Sequence, residues 1–199
     1  NDNTAGSLTL TVDTIPPSVP TIETTGSITN ITDQTITGTA DAGTLVTLYI
    51  DGVGTTVTGT AADDGTFSLP ATTLAEGDNV LSVTSKDLAG NESAESESIT
   101  FTVDTISPAV PTIKTTGLTT NITDQTITGE AEAGTLVTLY LDGVATSVTA
   151  TAADNNTFSL TATTLSEGVN NLTVTATDGV GNESAESESI TFTVDTIPP

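Results

Sequence analysis

Hydrophobic and polar residues alternate along this chain in short runs. Val46, Leu48 and Ile50 alternate with Thr47 and Tyr49, and the same period of two recurs through most of the sequence. Alternation with β-branched residues on both faces is typical of strands, and no stretch keeps the period of a helix. The pattern in the first half predicts seven strands, near residues 19–23, 34–40, 45–51, 55–61, 66–70, 79–86 and 97–103.

Turn-forming residues separate the predicted strands. Asp51-Gly52 and Ala89-Gly90-Asn91, for example, supply residues that tolerate positive φ or cap the local backbone. About seven short antiparallel strands separated by turns predict an all-β fold, the immunoglobulin-like β-sandwich. The chain has no Cys and no Trp, so the disulfide and core tryptophan of antibody domains are missing and only the architecture is predicted.

The chain contains an internal repeat. Residues 13–103 align without a gap with residues 104–194, and 69 of the 91 positions are identical. We therefore predict two tandem Ig-like repeats with these boundaries. Residues 1–12 resemble the end of each repeat and are predicted to be the last strand of a preceding one. Residues 195–199 resemble the start of each repeat and are predicted to begin the linker to the next, within an elongated array.

Composition excludes several classes of function. The chain has 26 acidic residues and two lysines, which gives a formal charge of −24, and it has no histidine. Such a polyanion is unsuited to nucleic acid phosphates or to direct insertion into an anionic membrane. Without His or Cys it lacks the usual nucleophile pairs and the nitrogen and sulfur metal ligands. We therefore predict that it is not an enzyme. We also expect this fragment to be monomeric.

Acidic residues recur in the loops that an Ig-like topology brings to one end of each sandwich. Several oxygen ligands from separate loops suit Ca²⁺, which takes six to eight oxygens in loose geometry. The alternative is that each carboxylate only caps its own turn. We predict that these carboxylates bind Ca²⁺, with these ligands: Asp13, Asp41, Asp63 and Asp87 in the first repeat, and Asp104, Glu132, Asp154 and Asp178 in the second.

The predicted linkers are short and rich in proline. Residues 103–108 read VDTISP, and a further proline follows at Pro111. Proline fixes φ and favours extended backbone, so we expect a partly stiff joint between adjacent repeats, which are the predicted partners. A cation held by the linker and the loop carboxylates would fix the joint further.

Five short pieces of the first repeat are VDTIPP at 12–17, ITGTADAG at 36–43, DG at 51–52, ADDGTF at 62–67 and DLAGN at 87–91. Together they resemble the bacterial Ig-like repeats of large adhesins, namely type I-secreted RTX adhesins and biofilm-associated proteins. The resemblance covers essentially the whole chain. It implies an extracellular spacer at the bacterial cell surface that Ca²⁺ stiffens through linker and loop aspartates. Asn156, which stands where the pattern has glycine, and Asp178-Gly-Val are departures in the second repeat.

Three functions require different features on the surface of the repeats. We expect a structural extender that projects a distal ligand-binding region for adhesion or biofilm formation. The alternative is a glycan- or receptor-binding module, but such sites usually need aromatic platforms, and Tyr49 and Tyr140 are single. Ice binding by threonine rows is a third possibility, and the rows are broken by turns.

Overall fold

Both halves of the chain fold into β-sandwiches, which confirms the predicted fold class. The structure is a computed structural model that describes residues 10–71, 73–162 and 165–199, and contacts divide the chain into units 1–104 and 105–199. The strands of the first unit are β1 (Thr21–Ile22), β2 (Ile28–Thr29), β3 (Gln34–Thr39), β4 (Leu45–Ile50), β5 (Val53–Thr60), β6 (Thr66–Ala71), β7 (Gly77–Lys86) and β8 (Ile99–Val103).

The second unit repeats this order. Its strands are β9 (Thr112–Ile113), β10 (Thr119–Thr120), β11 (Gln125–Glu130), β12 (Leu136–Leu141), β13 (Val144–Thr151), β14 (Thr157–Ala162), β15 (Gly168–Thr177) and β16 (Ile190–Val194). Each unit has a three-stranded and a five-stranded sheet, β1-β3-β6 with β2-β8-β7-β4-β5 and β9-β11-β14 with β10-β16-β15-β12-β13. Seven strands per unit lie close to the predicted ones.

An eighth strand of two residues in each unit adds to the predicted set of about seven, and its pairing is parallel rather than antiparallel. Strand β2 pairs in parallel with β8, with Ile28 opposite Thr102. Between β1 and β2 the chain crosses from one sheet to the other, and Gly26 lies at this crossing. A Cβ atom on Gly26 would stand 1.9 Å from the carbonyl oxygen of Thr100. Glycine therefore permits the close approach that lets β2 join the larger sheet.

The core of the first unit lies between its two sheets. Ile36 and Leu69 from the smaller sheet pack with Leu48 and Leu81 from the larger one, and all four are fully buried. Ile36, Leu48 and Leu69 are at alternate positions of β3, β4 and β6, because successive side chains of a strand point to opposite faces, and Leu81 is on β7. The second unit buries the equivalent residues.

The turn between β4 and β5 is a two-residue hairpin. Asp51 and Gly52 both have positive φ, 52° and 73°, as the type I′ turns that match strand twist require. The Asp51 carboxylate also accepts a hydrogen bond from the Val80 N–H at 2.9 Å, which fixes the hairpin against β7.

Strand β5 contains a bulge in its middle. Between two paired positions β4 advances two residues, from Thr47 to Tyr49, while β5 advances four, from Gly54 to Thr58. The Thr55 hydroxyl donates to the carbonyl oxygen of Leu48 at 2.8 Å, and the hydroxyl oxygen of Thr55 accepts the Val57 N–H at 3.0 Å. Strand β13 has the equivalent irregularity. The threonine satisfies backbone groups that the bulge leaves unpaired.

Residues 92–98 run beside β7 without being assigned as a strand. The N–H groups of Val83 and Ser85 donate to the hydroxyls of Ser96 and Ser93 at 3.1 and 3.0 Å. The N–H groups of the same two serines donate back to the carbonyls of β7, both at 2.9 Å. Serine hydroxyls thus replace the carbonyl groups that a neighbouring strand would offer. The second unit makes the same bonds.

The predicted strand at 1–12 falls mostly on residues 1–9, which lie outside the described residues. Leu10 and Val12 belong to no strand and are 83% and 74% exposed. The assignment of residues 1–12 to a preceding repeat stays a prediction. The contacts place the division between the two units after Asp104, beside the predicted boundary at 103/104.

Candidate metal centre

The segment 13–18 lies across one end of the first unit and is held by two of its loops. The Ser18 N–H donates to the Asp41 carboxylate at 2.8 Å, and the Asn91 side-chain amide donates to the carbonyl oxygen of Asp13 at 3.2 Å. The carboxylate of Asp13 itself accepts the Ile15 N–H at 3.0 Å. The loop after β3 and the loop after β7 therefore both bind this segment, as the predicted topology requires.

Asp87 joins the same end through Asn91. Its two carboxylate oxygens accept the Asn91 backbone N–H at 2.9 Å and the Asn91 side-chain amide at 2.8 Å. The side-chain hydrogen bond lowers the pKa of the Asp87 carboxyl, against the opposing effect of burial. Asn91 thus connects Asp87 with Asp13, two predicted ligands that are far apart in sequence.

Asp63 lies in the turn between β5 and β6. This turn is bonded to the Asp41 loop, because the Ala40 N–H donates to the carbonyl oxygen of Gly65 at 2.9 Å. The neighbouring Asp64 carboxylate accepts the N–H and the hydroxyl of Thr66 at 3.0 and 2.7 Å. The backbone hydrogen bond is the main reason that the pKa of Asp64 is lowered. Asp64 therefore caps its own turn, as the alternative interpretation expects.

In the second unit, Asp178 organises the loop after β15. One carboxylate oxygen accepts the N–H groups of Val180, Gly181 and Asn182 at 2.8–2.9 Å, and the other accepts the Asn182 side-chain amide at 2.8 Å. Burial works against ionisation of Asp178, but these hydrogen bonds outweigh it and lower the pKa of the carboxyl. The second repeat departs from the family pattern at Asp178-Gly-Val, but Asp178 makes the same hydrogen bonds to Asn182 that Asp87 makes to Asn91.

The turn that contains Asp154 is preserved although asparagine replaces glycine. Asn156 adopts a positive φ of 64°, and its carbonyl oxygen accepts the Ala131 N–H at 3.0 Å. Its side-chain oxygen also accepts the Ala133 N–H at 3.1 Å, which ties the turn to the loop of Glu132. Asparagine tolerates the left-handed region better than most residues do. The loops of Asp154 and Glu132 are therefore neighbours, as predicted.

Asp104 follows β8 and belongs to the first unit by its contacts. Its N–H donates to the carbonyl oxygen of Thr29 at 2.9 Å. Its predicted grouping with Glu132, Asp154 and Asp178 stays a prediction. Within residues 10–71, 73–162 and 165–199, no group of three or more acidic side chains is arranged to hold a metal ion. The donor chemistry at the Asp13 end fits a cation that prefers oxygen, since an ionised carboxylate that accepts one hydrogen bond keeps further lone pairs.

The sequence profile of the family described as bacterial Ig-like domain matches residues 18–105 and 113–196. The chain belongs to this family. It contains two tandem copies of the domain, one in each unit. Domains of this all-β kind typically serve as structural or binding modules, and their functions come from sites added to the fold.

Solved structures share the fold of these Ig-like domains. The fibronectin(III)-like modules of CbhA from Clostridium thermocellum are 18% identical over 89% of this chain and 94% of that one, with a TM-score of 0.54. A marsupial T cell receptor is 10% identical over 91% and 74%, with a TM-score of 0.57. The BSP domain of a biofilm-associated protein is 26% identical over 92% of this chain and 30% of that one, with a TM-score of 0.37. No curated protein matches.

Sequence reasoning missed the polar residues that organise these ends of the Ig-like units. Asn91 binds both Asp13 and Asp87, and Ser18 supplies the N–H that Asp41 accepts. The recurrence of Asn at position 182 in the second repeat was the available signal for the first of these. Glu167, at the other end of the second unit, was missed as well. In the part of the chain that the structure describes, no helix is long and apolar enough to cross a membrane.

Proposed function

We propose that this chain supplies extender units of a large bacterial surface adhesin, in which Ca²⁺ fixes each connecting segment onto the unit that follows it. The observation that carries the proposal is the hold on segment 13–18 by the Asp41 loop and by Asn91 with Asp87. Membership of the bacterial Ig-like family supports a module of this kind. An extracellular location and type I secretion of the parent adhesin are part of the proposal.

The charge of the chain supports the calcium part of the proposal. Acidic residues outnumber lysines by 26 to 2, and the two ion pairs that the structure describes, Lys86–Glu92 and Lys114–Glu130, use both lysines at partly exposed positions. Lys86 directly precedes Asp87 at this end but already pairs with Glu92 at 3.1 Å, so most of the repulsion among the carboxylates at the Asp13 end is not compensated. A divalent cation would neutralise them and draw the linker and loop oxygens together.

Asp13, Asp41, Asp63 and Asp87 would hold the cation in the first unit, and Glu132, Asp154 and Asp178 with Asp104 in the second. Ca²⁺ would neutralise the negative charge of these oxygens. The chain would supply a segment that is already hydrogen-bonded to the loops, and the ion would draw the carboxylates around it. A row of units with fixed connecting segments would act as a stiff spacer, and the binding of an external ligand would belong to another part of the adhesin.

Calcium titration tests the proposal. If Ca²⁺ binds only the folded unit, a concentration one hundred times the Kd adds about 2.7 kcal/mol of stability, which for a domain of this size raises Tm by roughly 10–20 °C. We expect D41N and D87N to reduce the rise, while E97Q, at an exposed position, leaves it unchanged. Equal melting curves and equal small-angle scattering in Ca²⁺ and in chelator would rule the calcium part out and leave the family assignment intact.

A further inference from the structure

The segment that follows β16 is hydrogen-bonded to the second unit, at the end of the unit where β16 ends. Glu167 lies directly before β15. The hydrogen bonds that the structure describes for its carboxylate all come from Thr196. The Thr196 N–H lies 3.0 Å from Oε2 and 3.3 Å from Oε1, and the Thr196 hydroxyl lies 2.7 Å from Oε2. Hydrogen bonds to an ionised acceptor are about twice as strong as neutral ones. One side chain thus binds both donors of one residue.

The residues on either side of Thr196 are held as well. The Asp195 N–H donates to the carbonyl oxygen of Thr120, at the end of β10, at 2.9 Å. The carboxylate of Asp195 accepts the Ile197 N–H at 3.1 Å. Three successive backbone N–H groups therefore have acceptors that define the path of the chain as it leaves the sheet.

The local backbone explains why Glu167 is available for this contact. Gly168 follows it with a φ of 94°, a conformation that suits glycine and turns the chain into β15. The same Glu-Gly pair occurs at residues 76–77 of the first repeat, and a threonine occurs at Thr105, the position equivalent to Thr196. The residue types that form the contact are thus present in both repeats.

We propose that Glu167 is a positioning residue that fixes the direction in which the chain leaves the second unit by holding Thr196. The contact uses a carboxylate, an N–H and a hydroxyl, so it requires no metal ion. It goes beyond the calcium proposal, because it would orient the segment in calcium-free solution and at the opposite end of the unit from the acidic loops.

The test uses the full ¹⁵N-labelled chain in chelator, so that calcium cannot contribute. Amide hydrogen exchange measures protection of the Thr196 N–H, and residual dipolar couplings measure whether the N–H vectors of Thr196 and Ile197 share the orientation of the unit. In E167A we expect exchange at Thr196 to become about tenfold faster, as for the loss of a hydrogen bond to a charged group, and both couplings to fall toward zero. T196S should keep the wild-type values.

The control E188A removes the same charge from an exposed position of the same unit and should change neither measurement. Wild-type protection and couplings in E167A, or an unprotected Thr196 in the wild-type chain, would overturn the proposal. If E167A also accelerates exchange at the buried Val174, the unit itself has been destabilised. T196V then decides, since it alters only the exposed segment and removes the shortest of the three bonds, that of the hydroxyl. Wild-type exchange at residue 196 together with wild-type couplings in T196V would refute the proposal, and faster exchange with reduced couplings would support it.

Discussion

The serines that bind β7 allow a quantitative prediction. Replacing Ser93 by alanine removes the hydroxyl that accepts the Ser85 N–H, and replacing Ser96 removes the acceptor of the Val83 N–H. Ser85 and Val83 are fully buried, and the two acceptor serines are each 9% exposed, so water has little access to either N–H. Each substitution therefore leaves a buried donor without a partner.

An unsatisfied buried N–H costs about 1–3 kcal/mol. We expect S93A and S96A each to lower the free energy of unfolding of the first unit by that amount. Domains of this kind have only about 5–15 kcal/mol of stability, so the double variant should lose a large fraction of it. The alanine side chain itself fits, because it is smaller than serine, and the cost therefore comes from the lost acceptor.

Urea unfolding followed by tyrosine fluorescence measures the effect. In a Y140F background Tyr49 is the remaining tyrosine and reports on the first unit alone. S98A is the matched control, because Ser98 is exposed and its loss should change the free energy by less than about 0.5 kcal/mol. If S93A and S96A also stay within that limit, the hydroxyls are not the acceptors that stabilise β7, and the reasoning fails.

Three other sets of substitutions test the glycine crossing, the asparagine turn and the Asp87 loop. G117A places a Cβ 1.9 Å from the carbonyl oxygen of Thr191 and should lower the free energy of unfolding by about 3 kcal/mol or more, measured by calorimetry. The control G179A has open space around it and should cost less than about 1 kcal/mol. Equal melting temperatures for the two variants would contradict this. N156A should have a free energy of unfolding about 1 kcal/mol lower than that of N156G, because only glycine takes the positive φ of this position without cost. The reverse order in urea unfolding would refute the claim. The lowered pKa of Asp87 means that its stabilisation is present above its unfolded value near 3.8 and is lost as pH falls through the lower folded value. The stability difference between wild type and D87N should therefore shrink below about pH 4, and a difference that is constant from pH 6 to pH 2 would show that the loop does not stabilise the charged form.

Alternation of side chains was sufficient to predict most of the sandwich. Strands such as β3 and β4 bury every second residue, and that pattern is visible in the sequence. Strand β2 has two residues and no alternation, and it forms because Gly26 allows a close crossing over Thr100. A contact between residues so far apart in sequence leaves no local signal.

Part of the candidate site could also be predicted. The topology places Asp13, Asp41 and Asp87 at one end, because loops after alternate strands of a sandwich lie together. Charge patterns identify acceptors but not their donors, so the roles of Ser18 and Asn91 were not predicted. The serine contacts did leave a signal, since Glu-Ser occurs at 92–93 and again at 95–96, a spacing of three that does not fit the period of two of a regular strand.

The bulge in β5 has a consequence for folding in a chain of near-identical repeats. An unfolded repeat can pair its strands with those of the next copy, which is the typical misfolding route of tandem domains with similar sequences. Here 69 of 91 positions are identical, so sequence difference gives little protection against strand exchange. A straight edge strand would pair along its whole length with the equivalent strand of a neighbouring repeat. The four-for-two mismatch in β5, repeated in β13, breaks that register and limits how far such a mispaired sheet can extend.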